Sequence, residues 1–307
     1  MVHKLEKIPA KALLVIIALA SGGCATLLPK TASESGAEGD TKKAELAMLR
    51  GNQALQRGNV DQGLLEYVRA LRWDPEKFEA HYMIGNIHSY KGNAALAEKA
   101  YRRALDLSEG HAGAAEGLGL ALLRQKKYDE ADASLKKAVA ADAKRWRAHN
   151  GLGVISDMRR DYADAETHYL AALDAQPGLP MLLTNLGYSK YAAGDWSTAQ
   201  FYFERALAQD PNHQKAWSNL GLLFVRRGDF GKAMDAFTKI MPEAQASNNV
   251  GYLCMMDGKY QLAEQYFVEA IRQSPSYNEA AYRNLDKVRA LAETNAGPET
   301  AGPMECK

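Results

Sequence analysis

Six glycines, Gly51, Gly85, Gly119, Gly153, Gly187 and Gly221, stand 34 residues apart, and a seventh, Gly251, follows after 30. A fixed period of this size means one supersecondary unit stacked many times, because a unit this short cannot bury its own apolar face. Such a chain carries its function on a long shared surface, and an enzyme pocket is the weaker expectation.

The residues between the glycines define the unit. Twelve positions after each glycine stands a small residue: Gly63, Ala97, Ala131, Ala165, Ala199, Ala233 and Ala263. Four further on comes a bulky apolar one, Tyr67, Tyr101, Leu135, Tyr169, Phe203, Phe237 or Phe267. Three beyond that alanine returns at Ala70, Ala104, Ala138, Ala172, Ala206 and Ala270, with Ile240 as the exception. Offsets of four and three keep all three on one helical face. A second glycine seven positions after the first (Gly58, Gly92, Gly194, Gly228, Gly258) suits the left-handed turn that ends a helix, and Pro75, Pro177, Pro211 and Pro275 resist continuing the next one. Each unit reads as helix, tight turn, helix, stop. In the sixth, the shorter step to Gly251 and the sequence Ile240, Met241, Pro242 predict a second helix about one turn short.

This pattern, best seen in Trp217, Leu220, Gly221, Phe224, Ala233 and Phe237, resembles the tetratricopeptide repeat and recurs seven times across residues 44–277. The resemblance implies an all-α superhelical solenoid of seven helix hairpins plus a closing helix over residues 278–291. The predicted division is a solenoid over 44–292 and a disordered tail over 293–307. Solenoids of this family bind protein partners along a concave groove lined by the first helix of each hairpin, and the expectation is a scaffold and not an enzyme.

The amino terminus carries a second signal. His3, Lys4, Lys7 and Lys11 precede nine apolar residues, 12–20, and then Ser21, Gly22, Gly23 and Cys24. A basic start, a short apolar run and small residues describe an export signal too short to span a bilayer as a mature helix. The string LASGGC resembles a bacterial lipoprotein signal, although Leu19 lies five residues before Cys24 and Ser21 takes the usual leucine place. That resemblance implies removal of residues 1–23 and covalent lipid on Cys24. With Ala25 following, it also implies an outer-membrane lipoprotein facing the periplasm. The alternative is an ordinary secretory signal cut near Ala20, leaving a soluble periplasmic protein. Residues 24–43, rich in Ser, Thr, Gly, Glu and Asp, read as a disordered tether.

Other function classes find little support. With 38 basic and 37 acidic side chains interspersed and a net charge of +1, no electrostatic footprint for nucleic acid exists. His81 and His88 share a helix without a carboxylate ligand at matching spacing, so no metal site is expected, and no cofactor beyond the lipid. Gly113, Gly117 and Gly119 lack the preceding strand of a phosphate loop. Neither a serine nor a cysteine nucleophile arrangement occurs, and no small-molecule substrate is expected. Cys254 reads as a small buried hydrophobe and Cys306 as part of the tail.

What remains is the first-helix stripe at offsets of three and four. From it the candidate partner-binding residues are Asn52, Tyr82, Asn86, Tyr90, Asn150, Met158, Tyr188, Tyr191, Arg226, Asn248, Tyr252 and Met255. Tyrosine and methionine make adaptable apolar contacts, and asparagine can hydrogen-bond a peptide backbone. Packing within the solenoid is the competing role for each. Lysine and arginine are sparse on the stripe, which disfavours a clamp for a C-terminal carboxylate. Finally, the stretch MPEAQASNNVGYLCMMDGKYQLAEQYF resembles the C-terminal part of tight-adherence (Flp) pilus assembly lipoproteins. That likeness implies an assembly factor whose partner is an outer-membrane secretin or another pilus-machine component. A pilotin-like lipoprotein of type IV pili, an adaptor for cell-wall enzymes and an accessory subunit of an enzyme stay open as alternatives.

Overall fold

The computed structural model describes residues 32–295, which form fifteen helices and no strand. They pair as seven hairpins: α1 (Ala32–Gln56) with α2 (Val60–Trp73), α3 (Phe78–Tyr90) with α4 (Ala94–Leu107), α5 (Ala112–Arg124) with α6 (Tyr128–Ala141), and α7 (Trp146–Met158) with α8 (Tyr162–Ala175). The series continues with α9 (Pro180–Ala192) and α10 (Trp196–Gln209), α11 (Gln214–Arg227) and α12 (Phe230–Thr238), and α13 (Glu243–Met256) and α14 (Tyr260–Gln273). A last helix, α15 (Glu279–Asn295), packs on α14. The predicted all-α solenoid is the observed fold.

The glycine ladder sets the spacing within each hairpin. A Cβ added at Gly187 would meet the Phe203 ring at 2.7 Å, and one at Gly221 the Phe237 ring at 2.5 Å. The other ladder glycines face Tyr67, Tyr101, Leu135, Tyr169 and Phe267 in the same way, and all seven bulky residues are buried. Leaving out a side chain on the first helix lets a ring of the second fill the space. Tyr101 and Leu135 also reach Gly117 and Gly151 of the following hairpin, so the same bulky side chains join neighbouring units.

Between the two helices of a hairpin the chain passes through a left-handed residue. Glycine takes this place in five hairpins, for example Gly194 at φ 86°, but Lys126 (φ 61°) and Arg160 (φ 60°) take it in the third and fourth. Ion pairs stitch successive units together: Lys91 to Asp61, Lys127 to Glu98 at 2.9 Å, Arg159 to Asp129 at 2.8 Å, Lys190 to Glu166 at 2.6 Å and Arg289 to Glu264 at 2.7 Å. A further staple recurs every second hairpin. Ring nitrogens of His81, His149 and Trp217, spaced by 68 residues, lie 2.9, 3.2 and 2.8 Å from the carbonyl oxygens of Pro75, Ala143 and Pro211, each six residues earlier. A carbonyl only accepts, so Nε2 of both histidines carries the hydrogen.

The sixth unit is short as predicted: α12 spans 9 residues where the other second helices span 14, and Pro242 starts the next helix. α15 buries Ala281, Leu285 and Val288 against the last hairpin and turns Arg283, Asp286 and Lys287 to water, a polar cap on the stack.

At the other end the structure differs from the expected tether. α1 begins at Ala32, so residues 32–43 are helical. The reason lies in the charges. Lys42 pairs with Glu38 at 3.2 Å and Lys43 with Asp40 at 2.9 Å along one helix, and Lys43 sits 4.0 Å over the Trp73 ring. Residues 24–31, the signal segment, Cys24 and Cys306 lie outside the described residues.

The concave groove as candidate functional site

Contacts between side chains about one repeat apart define the groove, because they join first helices of adjacent hairpins. Arg124 donates from Nη1 to the Ser89 carbonyl at 2.7 Å, linking α5 to α3. Asn185 Nδ2 donates to Asn150 Oδ1 at 2.8 Å, linking α9 to α7. Arg226 donates from Nε to the Tyr191 hydroxyl at 3.3 Å and from Nη1 to Asp257 Oδ1 at 2.5 Å. At the end, Asn284 Nδ2 donates to Asn248 Oδ1 at 3.0 Å, linking α15 to α13. These bonds lace α3 to α5 and, in series, α7 through α9, α11 and α13 to α15.

A second set of bonds ties the groove to the core. The hydroxyls of Tyr67 and Tyr101 each donate to the side-chain oxygen of Asn52 and Asn86 at 2.7 Å, and the Tyr169 hydroxyl donates to Asp157 Oδ2 at 2.8 Å. Burial pushes the Tyr67 hydroxyl up to about 12 and raises those of Tyr101 and Tyr169 as well, so all three stay protonated donors at neutral pH. Burial also raises the Asp157 carboxyl, against the pull of the nearby Ser189 hydroxyl and the hydrogen bond from Tyr169. Glu116 is raised by burial too, against the pull of Arg145 and Arg147.

These bonds change the roles expected of several residues. The carbonyl oxygens of Asn52, Asn86, Asn150 and Asn248 are committed inside the solenoid and do not face a partner unpaired. Tyr82 is half-buried, with its ring centroid 6.0 Å from Phe78, 5.0 Å from His111 and 6.1 Å from Tyr101. Arg226 is an ion-paired strut. Met255 is a correction: it is 3% exposed and packs in the core with Cys254 and Phe267. Four positions after a ladder glycine the helix turns inward. Val225 is buried at the same place, while Ser89, Asp157 and Tyr191 are half-buried there. The neighbouring Met256 is the exposed residue, at 64%. Asn185, Asn284 and Asp257 are groove residues that the stripe did not include, and a search for amide and charge pairs one repeat apart would have found them.

What faces outward on this surface is aromatic and thioether. Tyr90 is 60% exposed, Met158 53%, Tyr188 47% and Tyr252 43%, and Tyr191 lies beside Tyr188 with ring centroids 6.1 Å apart. Among the described residues no group of three His, Cys, Asp or Glu side chains converges as a metal site. The buried Cys254 thiol is pushed up to about 11 by desolvation, which makes it a packing group. Adaptable apolar side chains on a rigid, hydrogen-bonded frame suit the binding of another polypeptide.

Known proteins share this architecture. The tetratricopeptide repeat model matches residues 48–112, 82–144, 117–180 and 184–242, more than half of the chain. Over 120 residues the chain is 29% identical to the type IV pilus assembly protein PilF of Pseudomonas aeruginosa, covering 39% of this chain and 47% of that one. The match thus spans about half the length of that relative. Among solved structures, a tetratricopeptide repeat protein from Parabacteroides merdae superposes with a TM-score of 0.59 at 14% identity, over 81% of this chain and 99% of the other. The structure of P. aeruginosa PilF gives 0.52 at 20% identity, over 82% and 99%. YrrB, described as a tetratricopeptide repeat protein with an unusual peptide-binding site, gives 0.50 at 20%, over 60% and 95%. At these identities the structural likeness is one of fold. By its repeated motif and its fold, the chain belongs to the tetratricopeptide repeat family.

Proposed function

We propose that this protein is a non-enzymatic, lipid-anchored assembly factor of a tight-adherence (Flp) pilus machine, similar to TadD, whose concave groove holds an outer-membrane secretin or another machine component. The observation that carries the binding role is the exposed row of Tyr90, Met158, Tyr188, Tyr252 and Met256 on the laced first helices. The place of action rests on the signal-like segment before Cys24, which would set the protein on the outer membrane facing the periplasm. No helix among the described residues is long and apolar enough to cross a membrane. A second reading, a pilotin-like lipoprotein of a type IV pilus, is favoured by the 29% identity to PilF. Both readings use the same groove with different clients.

Affinity purification from detergent-solubilised membranes tests the proposal. Recovery of a secretin, together with failed secretin assembly in a deletion strain, is the expected result; no secretin recovered and normal assembly would sink it. Identification of the recovered secretin as a tight-adherence or a type IV pilus component decides between the two readings. Cys24→Ser is expected to move the protein from the membrane to the soluble fraction, and retention on the membrane would count against lipidation.

A further inference from the structure

Two imidazoles meet head-on inside the fourth hairpin. His149 on α7 and His168 on α8 place their Nδ1 atoms 3.2 Å apart, with ring centroids 5.5 Å apart. The centroid separation exceeds the nitrogen separation by about two ring radii, so each Nδ1 points at the other. The opposite nitrogen of each ring also faces oxygen: His149 Nε2 lies 3.2 Å from the Ala143 carbonyl, and His168 Nε2 lies 3.7 Å from Asp164 Oδ2. His168 is only 17% exposed at its side chain.

The protons follow from these partners. The Ala143 carbonyl requires hydrogen on His149 Nε2, which leaves His149 Nδ1 with a lone pair. In the metal-free neutral pair His168 therefore donates from Nδ1, and its Nε2 lone pair is turned toward a carboxylate, an unfavourable arrangement. Moving that one proton from Nδ1 to Nε2 lets His168 donate toward Asp164. It also leaves two Nδ1 lone pairs confronting each other, a pair of ligand atoms that needs a cation between them.

We propose that His149 and His168 form a two-imidazole site for a divalent transition-metal ion such as Cu²⁺ or Zn²⁺. Imidazole suits both metals. A separation of 3.2 Å matches the edge of about 3.3 Å expected for a tetrahedral site with bonds of 2.0–2.1 Å. Binding requires each ring to pivot about its broad χ2 until the two lone pairs meet beside the line joining the nitrogens. With the metal bound, the His149 N–H keeps the Ala143 carbonyl as its acceptor and the His168 N–H is turned toward Asp164 Oδ2, 3.7 Å away and already accepting from Ser156 Oγ, so a small shift completes the arrangement that fixes metal-ligating histidines. Asp164 and Asp132 add negative charge near His168 and Lys136 opposes them, while burial favours the neutral ring that a metal needs. No third His, Cys, Asp or Glu joins the pair, so water completes the coordination. Sequence spacing hides this site because the two histidines lie 19 residues apart on different helices.

The test is titration of the full chain with Cu²⁺, read by calorimetry and by electron paramagnetic resonance, with Zn²⁺ in a parallel calorimetric run. One equivalent with coupling to two imidazole nitrogens is expected. His168→Gln, which keeps the His149 bond to Ala143, is expected to weaken binding at least tenfold and reduce the coupling to one nitrogen. His81→Gln removes the equivalent staple two hairpins earlier, where Ala100 stands in place of a second histidine, and is expected to change nothing. Unchanged affinity and coupling in His168→Gln, or an equal loss in His81→Gln, overturns the proposal. Circular dichroism of the two variants separates loss of a ligand from loss of fold.

Discussion

A ladder glycine acts through the atom it lacks. At Gly187 an added Cβ would sit 2.7 Å from two Phe203 ring carbons and 3.3 Å from the Ala199 carbonyl, and the ring is fully buried with no room to retreat. Gly187→Ala is expected to cost about 1–3 kcal/mol, measured by urea unfolding, despite the better helix propensity of alanine. The turn residues give a change of opposite sign. Lys126 and Arg160 hold a left-handed backbone that costs an ordinary residue about 1–2 kcal/mol, of which glycine's extra unfolded-state freedom returns part. Lys126→Gly is therefore expected to stabilise by about 0.5–1 kcal/mol in the same assay. At this scale the small and bulky positions of the motif were legible in sequence, since they repeat seven times. The inward turn of Met255 was not. One residue's shift around a helix decides between core and groove, and a methionine satisfies either.

At the scale of helices, the joints between hairpins combine apolar packing with ion pairs, and Glu98 is the most connected of these groups. Burial acts to raise its carboxyl, but hydrogen bonds from Lys127, Arg102 and Gln125 outweigh that and hold it down to about 2. Its folded-state pKa thus lies below that of the unfolded chain, so its stabilisation is full above the ordinary carboxylate range and is lost as pH falls from about 5 toward 2. Glu98→Gln should be less stable than the parent by about 1–2 kcal/mol at pH 7, and the difference should vanish near pH 2. A difference independent of pH would show that packing and not charge matters at this joint. The short α12 was readable from a missing helical turn and a proline, and the closing α15 from the resemblance to the repeat family. The early start of α1 was not, because Ser, Gly and Asp weigh toward disorder in composition, while charge pairs three and four residues apart and a Trp73 contact weigh toward helix.

For the whole molecule, the arrangement of first helices converts a repeated sequence into a surface. Tyr and Asn side chains that looked like ligands divide into two groups once the hairpins stack. Asn52, Asn86, Asn150 and Asn248 lace the frame, and Tyr90, Tyr188, Tyr252, Met158 and Met256 face outward. Sequence placed these positions on the first helices but did not show which were already bonded, since Asn150 and Asn248 pair with a side chain a full repeat away and Asn52 and Asn86 with a tyrosine of the opposite helix of their hairpin. The proposed function requires that this concave face, and not the convex one, receives a protein partner. Photo-crosslinking decides it most directly, with a photoreactive residue placed at Tyr188 or Tyr252 on the groove, or at Glu204 or Lys232, exposed on the second helices. Cross-links to one defined envelope protein from the two groove positions alone are the predicted result. Equal capture from Glu204 and Lys232, or none from the groove, would contradict it.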